Sequence, residues 1–488
     1  MENLEDEGEE EVKTYMGCLA KLYKSHSLKL GLDRTKLLSD CFENPCDNYK
    51  TVHVAGTNGK GSVCFKIYVC LKLRNYKVGL FSSPHIFSLR ERIKINDEPI
   101  SESDLIHFVN KVFKKAKKIN VNPTFFEIMT IVAYLYFSFK RVDYAIIETG
   151  IGGRLDATNI LKKPELIIIT SIGYDHLHLL GAELKHICKE KIGIFKKDSR
   201  VLIGPTVSIY KDVFTKATQM NCTLKVIPPD PRGESFNEEN SRIAIEALNM
   251  LNIKVSSDSF LKSIITIKPP LRIQYLAPEQ IEHIKNKYTK QSNFNPTNAT
   301  FTNTDSYPHA LILDAGHNET AIDRLCRDIN CFHKGKSIRV CVSVTKPRNL
   351  SIFQPIIAHF QGVLKDIFYL PSLNERTYDF EEILDMLKND SQISDELRVL
   401  VLSSAEKVVH WITADRKDKS NDANRTDQLY TRGSTIPIIV KNAFLECCND
   451  NSILLICGTF FIFNEVLNAF DIYSDMQDAL SMNEPSII

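Results

Sequence analysis

From residue 50 onward, short runs of branched apolar residues alternate with longer segments of helical spacing. That alternation predicts a mainly parallel sheet covered by helices, an α/β fold. Strands are expected at 51–54, 77–81, 144–147 and 166–170, each followed by a glycine or polar turn. A second set at 310–313, 337–342, 366–369, 398–402 and 452–457 predicts a second α/β domain. Ligands of open parallel sheets bind beyond the carboxyl ends of the strands, so the turns after these runs are the places to seek chemistry. Two stretches break the pattern, 285–306 and 413–434, both polar and both expected to be solvated insertions that bury too little apolar surface to order themselves. The organisation expected is an acidic leader over 1–11, a first domain over 12–275, a linker with polar insertion over 276–307, and a second domain over 308–488.

A chain of 488 residues suits two sizeable cores rather than one. Its 61 Lys and Arg against 60 Asp and Glu leave no basic footprint, which argues against a nucleic-acid partner. The 13 cysteines include no C-x-x-C pair and follow no apolar signal segment, so reduced thiols in the cytoplasm are expected rather than disulfides or zinc. No apolar run approaches the roughly 20 residues of a membrane-spanning helix. The longest, 166–169, reads as a buried strand, and no membrane partner is expected. Transit peptides are basic, whereas the leader here is acidic.

Among the turns, AGTNGKGS at 55–62 carries the sharpest signal. It follows an apolar strand and opens an apolar-periodic segment, the setting a phosphate-binding loop requires. Glycines let the backbone approach phosphate, the N–H groups at a helix start favour an anion, and Lys60 adds a point charge. The loop departs from G-x-x-x-x-G-K-[ST], because Gly61 separates Lys60 from Ser62.

HVAGTNGKGSV resembles the ATP loop of the folylpolyglutamate synthase and dihydrofolate synthase family, relatives of the cell-wall Mur ligases. SSPHIFSLRERIKIN (82–96) resembles that family's folate-side loop, and ETGIGGRLDATN (148–159) its omega loop. YDHLHLLG (174–181), KEKIGIF (189–195), LDAGHNE (313–319) and ICGTFFI (456–462) follow in the family's order. The resemblance spans nearly the whole chain, and is weak at the leader and the two insertions. It implies an N-terminal P-loop mononucleotide-binding domain with a parallel sheet and a C-terminal Rossmann-like domain.

By resemblance, ATP is held by Asn58, Gly59, Lys60, Gly61, Ser62 and Asn240, and from the second domain by Arg272, Asp314 and His317. The match is looser at Arg272, since the family usually has glycine where Leu271 stands. Two Mg²⁺ ions are implied. Glu148, at the end of a strand, and Ser83 would serve one ion, and His176 a second, although magnesium prefers oxygen ligands. Lys191 is implied to be a carbamylated lysine rather than an ordinary cation, while its charged surroundings, Lys189, Lys196 and Lys197, suit a solvated side chain. Arg154 and Asp156 are implied to bind and organise substrate. Thr124 and Phe126, in PTFFE, are implied to contact a pterin, with core packing the competing role for Phe126. His178 reads as a loop histidine.

The implied reaction is ATP-dependent ligation of L-glutamate to dihydropteroate and to reduced folates. Phosphorylation turns a poorly electrophilic carboxylate into an acyl phosphate, which the amine of glutamate attacks. Lys60, Glu148, His176 and Lys191 would carry the catalysis, and domain closure would shield the acyl phosphate from water. GRLDATN is closer to the bifunctional microbial enzymes, so both activities are expected, in a monomer. The alternatives are folylpolyglutamate synthesis alone, a Mur-type amino-acid ligase, or a nucleotide-binding regulator that has lost catalysis.

Overall fold

The computed structural model describes residues 11–25, 29–231, 233–255, 258–348 except 291–305, 350–389, 393–419 and 435–472. Apart from Glu11, the acidic leader lies outside these residues. The chain divides into two compact units between Lys268 and Pro269.

Eight strands form the sheet of the first unit: β1 Lys50–Ala55, β2 Val78–Phe81, β3 Ile93–Ile95, β4 Glu98–Pro99, β5 Tyr144–Glu148, β6 Leu166–Ile169, β7 Arg200–Ile203 and β8 Thr223–Val226. Their order is β4-β3-β2-β5-β1-β6-β7-β8. Only the β2–β3 and β3–β4 pairs are antiparallel. The central strands are apolar on both faces because both are covered. Val52, Val54, Ile146 and Ile168 pack with the helices Lys60–Leu73 and Phe236–Met250. Alternate residues point the other way: Ala145 and Ile147 join the core that contains the helix Phe125–Lys140, while Ala55, Ile167 and Ile169 join that of Leu184–Ile192.

The second unit holds five strands, β9 Gln274–Tyr275, β10 Ala310–Leu313, β11 Ile338–Val342, β12 Leu364–Tyr369 and β13 Ile453–Cys457, in the order β12-β11-β13-β10-β9. All pair in parallel except β9 with β10. That pairing draws residues 269–275 into the second unit, whereas the sequence pattern left them in the first. A charge network closes the amino-terminal ends of these strands. The Arg339 Nε donates to Asp366 Oδ2 and Glu446 Oε2, both at 2.9 Å, and Nη1 donates to both Asp450 oxygens and to Ser452 Oγ.

Two expectations require correction. Residues 398–402, RVLVL, belong to the helix Asp395–Lys419, not to a strand. Leu397, Val401, Ala405, Val408 and Ile412 are buried at helical spacing while Val399 is 67% exposed, so the 3.6-residue period overrides the β-branched composition. The insertion at 285–306 begins within another helix, Pro278–Lys290, where Ile284 and Tyr288 are buried and the Tyr288 hydroxyl donates to Ala469 O. Residues 291–305 and 420–434 of the two insertions lie outside the described residues. Among the described residues no helix is long and apolar enough to cross a membrane, and all 13 cysteines are free thiols.

Candidate active site

The register of the first sheet sets Val54 beside Glu148, Ala55 beside Ile169 and Phe81 beside Ile147. The turns after β1, β2, β5 and β6 therefore emerge along one edge. The chain leaves β1 for β2 on one side and later crosses from β5 over β1 to β6 on the other, which makes the carboxyl end of β1 the switch point where such sheets bind ligands.

The loop after β1 is built for close approach. Gly59 caps the helix Lys60–Leu73 at φ 85°, and a side chain there would strike Asn240 Oδ1. Asn240, from the helix Phe236–Met250, is buried against the loop, and among the described residues its Oδ1 accepts no hydrogen bond. Lys60 Nζ donates to Gly56 O at 2.9 Å and Thr57 O at 3.3 Å, which folds the ammonium back over the loop. Ser62 is buried in the first helical turn. The loop is stapled to the turn after β6: Thr170 Oγ1 donates to Asn58 O at 2.7 Å, Asn58 N donates to Ser171 Oγ at 2.9 Å, and Thr57 Oγ1 donates to Gly173 O at 3.0 Å. None of Thr57, Thr170 and Ser171 was picked out from the sequence, since isolated hydroxyls carry no spacing signal. A methyl group on Gly56 would overlap Thr170 Oγ1. Gly56→Ala is expected to raise the KM for ATP by about tenfold or more, as measured by steady-state kinetics, because the staple must open.

Glu148 ends β5, and its Oε2 accepts from Ser83 N at 3.1 Å in the turn after β2. A Cβ on Gly61 would lie 3.5 Å from Glu148 Oε1, so the glycine keeps the space beside the carboxylate clear. Among the described residues no three His, Cys, Asp or Glu side chains converge as a ready-made metal cage. A carboxylate with a neighbouring serine suits magnesium, which takes oxygen ligands and draws the remainder from phosphate and water. His176 stands at φ 49°, its backbone N bonded to Asp175 Oδ1 at 3.0 Å and its Nε2 3.8 Å from Asp175 Oδ2. His178 is exposed, as a loop histidine should be.

Lys191 lies in the last turn of the helix Leu184–Ile192 and is 3% exposed. It is therefore not the solvated cation its neighbours in sequence suggest. No hydrogen bond or ion pair within the described residues satisfies its ammonium. Burial, reinforced by the charge of Lys60 and opposed by Asp175, Asp156 and Glu190, pushes its pKa down to about 7.

The omega loop folds around Asp156. Its Oδ2 accepts from Gly150 N and Ile151 N, at 2.9 and 3.1 Å, and its Oδ1 from Thr158 N and Thr158 Oγ1, at 3.0 and 2.5 Å. Burial raises the Asp156 pKa and these hydrogen bonds oppose the rise. The carboxylate thus organises the loop. Arg154 is half-exposed and pairs with Glu190 Oε1 at 2.8 Å. Gly150 permits the Phe126 ring to approach, since a Cβ there would sit 2.8 Å from it, and Phe126 also lies 5.7 Å from the Phe81 ring.

Thr124 has a structural task that the sequence reading did not assign: with Glu127 it forms a capping box at the start of the helix Phe125–Lys140. Arg34 completes the corner, its Nε donating to Glu127 Oε2 at 3.0 Å. Both this box and the one joining Ser88 to Glu91 are legible as T-x-x-E and S-x-x-E. In the folate-side loop, Glu91 accepts from the backbone of Ile86, Phe87 and Ser88, and Arg92 Nε donates to His85 Nδ1 at 2.9 Å.

Within the second unit, Asp314 Oδ2 accepts from Ile273 N at 2.8 Å and Oδ1 from Gly316 N at 2.6 Å. It fixes a turn in which Leu271 and Ile273 take φ of 56° and 41°. Leu271 thus occupies the conformation that glycine adopts without strain, which accounts for the looseness of the match there. Between them Arg272 lies 5.0 Å over the Phe460 ring, and His317 is 6.4 Å from the same ring.

No family model matches the chain. It is similar to the dihydrofolate synthase/folylpolyglutamate synthase of Bacillus subtilis (strain 168), 30% identical over 374 residues that cover 73% of this chain and 86% of that protein. Its fold matches that of E. coli FolC in complex with DHPP and ADP, with a TM-score of 0.70 at 21% identity, over 95% of this chain and 99% of that one. It likewise matches the bifunctional folylpolyglutamate synthase/dihydrofolate synthase of Yersinia pestis complexed with AMPPNP and a Mn ion, with a TM-score of 0.67 at 21% identity, over 95% and 100% of the two chains.

Proposed function

Because the chain belongs to the dihydrofolate synthase/folylpolyglutamate synthase family of the Mur ligase superfamily, we propose that it joins L-glutamate to dihydropteroate and to reduced folates, with cleavage of ATP to ADP and phosphate. The observation that carries this reading is the shared sheet edge: the phosphate loop after β1, Glu148 at the end of β5 and the omega loop that follows it stand beside one another. ADP, a non-hydrolysable ATP analogue and manganese in the neighbouring structures support ATP and a divalent ion here.

The acceptor carboxylate attacks the γ-phosphorus, ADP leaves, and the amine of glutamate then displaces phosphate from the acyl phosphate through a tetrahedral intermediate. Lys60 and the N–H groups at the start of the helix Lys60–Leu73 offset charge on the transferring phosphoryl group. Bound Mg²⁺ supplies Lewis-acid stabilisation of the phosphate oxygens. Ser83 and Glu148 would hold one ion, and His176 with a carbamylated Lys191 would serve a second. Asn58, Gly59, Gly61, Ser62 and Asn240 surround the phosphates. Arg272, Asp314 and His317 are assigned to nucleotide, with Asp314 acting through the turn it fixes. Phe126 and Arg154 face the acceptor, while Thr124 and Asp156 shape the corner and loop that receive it.

Purified protein is expected to form dihydrofolate from dihydropteroate and to lengthen tetrahydrofolate by further glutamates, with one ADP per bond. Chromatography of the folate products together with coupled ADP detection tests both. Extension of tetrahydrofolate alone would restrict the reading to folylpolyglutamate synthesis, and turnover of neither acceptor would remove it.

A further inference from the structure

On β1, two residues before Ala55 at the start of the phosphate loop, a histidine stands where the rest of the strand interior is aliphatic or small. His53 is completely buried. Its Nε2 lies 2.8 Å from Thr158 Oγ1, and its Nδ1 has no partner among the described residues. The direction of the hydrogen bonds follows from Thr158. Three backbone N–H groups converge on Asp156 and hold it as an acceptor. The single hydroxyl hydrogen of Thr158 therefore goes to Asp156 Oδ1, at 2.5 Å. The hydroxyl oxygen must then accept from His53, so Nε2 carries the ring hydrogen and Nδ1 is bare. Burial, with Lys196 nearby, depresses the His53 pKa to about 3, in keeping with a ring that stays neutral. An aliphatic side chain would pack here without burying an unpaired nitrogen. The histidine's distinct contribution is one directed hydrogen bond.

We propose that His53 is a positioning residue for the acceptor: it holds the Thr158 hydroxyl on Asp156 and so fixes the omega loop at Gly150 and Ile151. The inference rests on the reading of that loop as an acceptor-binding element. Thr158 is otherwise anchored only through its backbone, with Tyr134 Oη donating to its carbonyl at 3.0 Å, and that contact leaves the hydroxyl free to turn. Once it turns, Asp156 loses one of four donors. The loop amides that remain on it then exchange more readily.

His53→Leu and Thr158→Val are expected to raise the KM for dihydropteroate about tenfold each, the cost of one buried hydrogen bond. The KM for ATP should stay within about twofold. The double variant should be no worse than either single one, since both break the same chain. His53→Gln, whose amide nitrogen can donate from a similar reach, should restore most of the loss. Amide exchange at Gly150 and Ile151 should quicken in Thr158→Val, a readout that does not depend on His53→Leu folding. Asp156→Ala separates the two levels. If it raises the acceptor KM while His53→Leu and Thr158→Val lower only the melting temperature, the positioning role is wrong and the loop assignment stands. If Asp156→Ala leaves the acceptor KM unchanged, the loop assignment fails and the proposal falls with it.

Discussion

Lys60→Ala should lower kcat by at least about a hundredfold at saturating ATP, with little change in melting temperature. The ammonium is the one side-chain cation within the phosphate loop, and removing a preorganised charge from a transferring phosphoryl group costs roughly two to three powers of ten. The stability side follows from its contacts. Among the described residues Lys60 donates only to Gly56 O and Thr57 O of its own loop, while the loop itself is held by the Thr170 and Ser171 staple. Its loss should therefore cost no more than about 1 kcal/mol. Lys60→Arg should restore little, since the guanidinium is a planar fork rather than a compact charge. Stopped-time ADP assays on both variants, with a thermal melt as control, decide the matter. Unchanged turnover in Lys60→Ala would strip the residue of its role.

Lys191→Ala should be comparably inactive, and part of its activity should return with acetate or another short carboxylic acid. The buried amine, with a pKa near 7, is substantially unprotonated at neutral pH. In that state nitrogen attacks CO₂ and releases a proton, giving a carbamate whose charge faces Lys60. Activity should fall as pH drops below about 7, where the ammonium can no longer react. The same shift makes a stability prediction of defined sign. Between about 7 and 10.5 the unfolded chain binds the proton and the folded chain does not, so the contribution of unmodified Lys191 to stability rises with pH across that window. Near pH 7 the burial costs about 4 kcal/mol. In CO₂-depleted buffer Lys191→Met should therefore melt several degrees above wild type at pH 7, with the gap closing toward pH 10. A fully active Lys191→Ala enzyme, together with no such gap for Lys191→Met, would leave Lys191 an ordinary residue.

The strands that carry this chemistry were legible because each is a short branched run ending in a polar turn: 51–54, 144–147 and 166–170 fall within a residue or so of β1, β5 and β6. β7 and β8 were not. RVLI and TLKV sit in charged surroundings, and only their parallel pairing beside β6 identifies them. RVLVL at 398–402 misled for the opposite reason, since its composition favours a strand while its burial follows a helix. At the site, motifs located the loops, but side-chain tasks were hidden in their contacts. Asp156 and Asp314 resembled ligand carboxylates, and each spends its oxygens on backbone N–H groups. Lys191 lay in a run of lysines, and only the apolar stretch 192–195 that follows it marked it as the one able to turn inward.

The charge network around Arg339 lies at the beginnings of β11, β12 and β13, whereas Asp314 and His317 follow the end of β10. Breaking a buried ion pair by removing one partner costs several kcal/mol, and replacing the whole cluster with fitted apolar side chains is often neutral or better. Heat tolerance can thus be selected or engineered at one end of each strand while substrate handling is adjusted at the other. Arg339, Asp366, Glu446 and Asp450, with the Lys365 and Lys407 that also pair with them, therefore form one set that can be rewritten for heat tolerance only if it changes together.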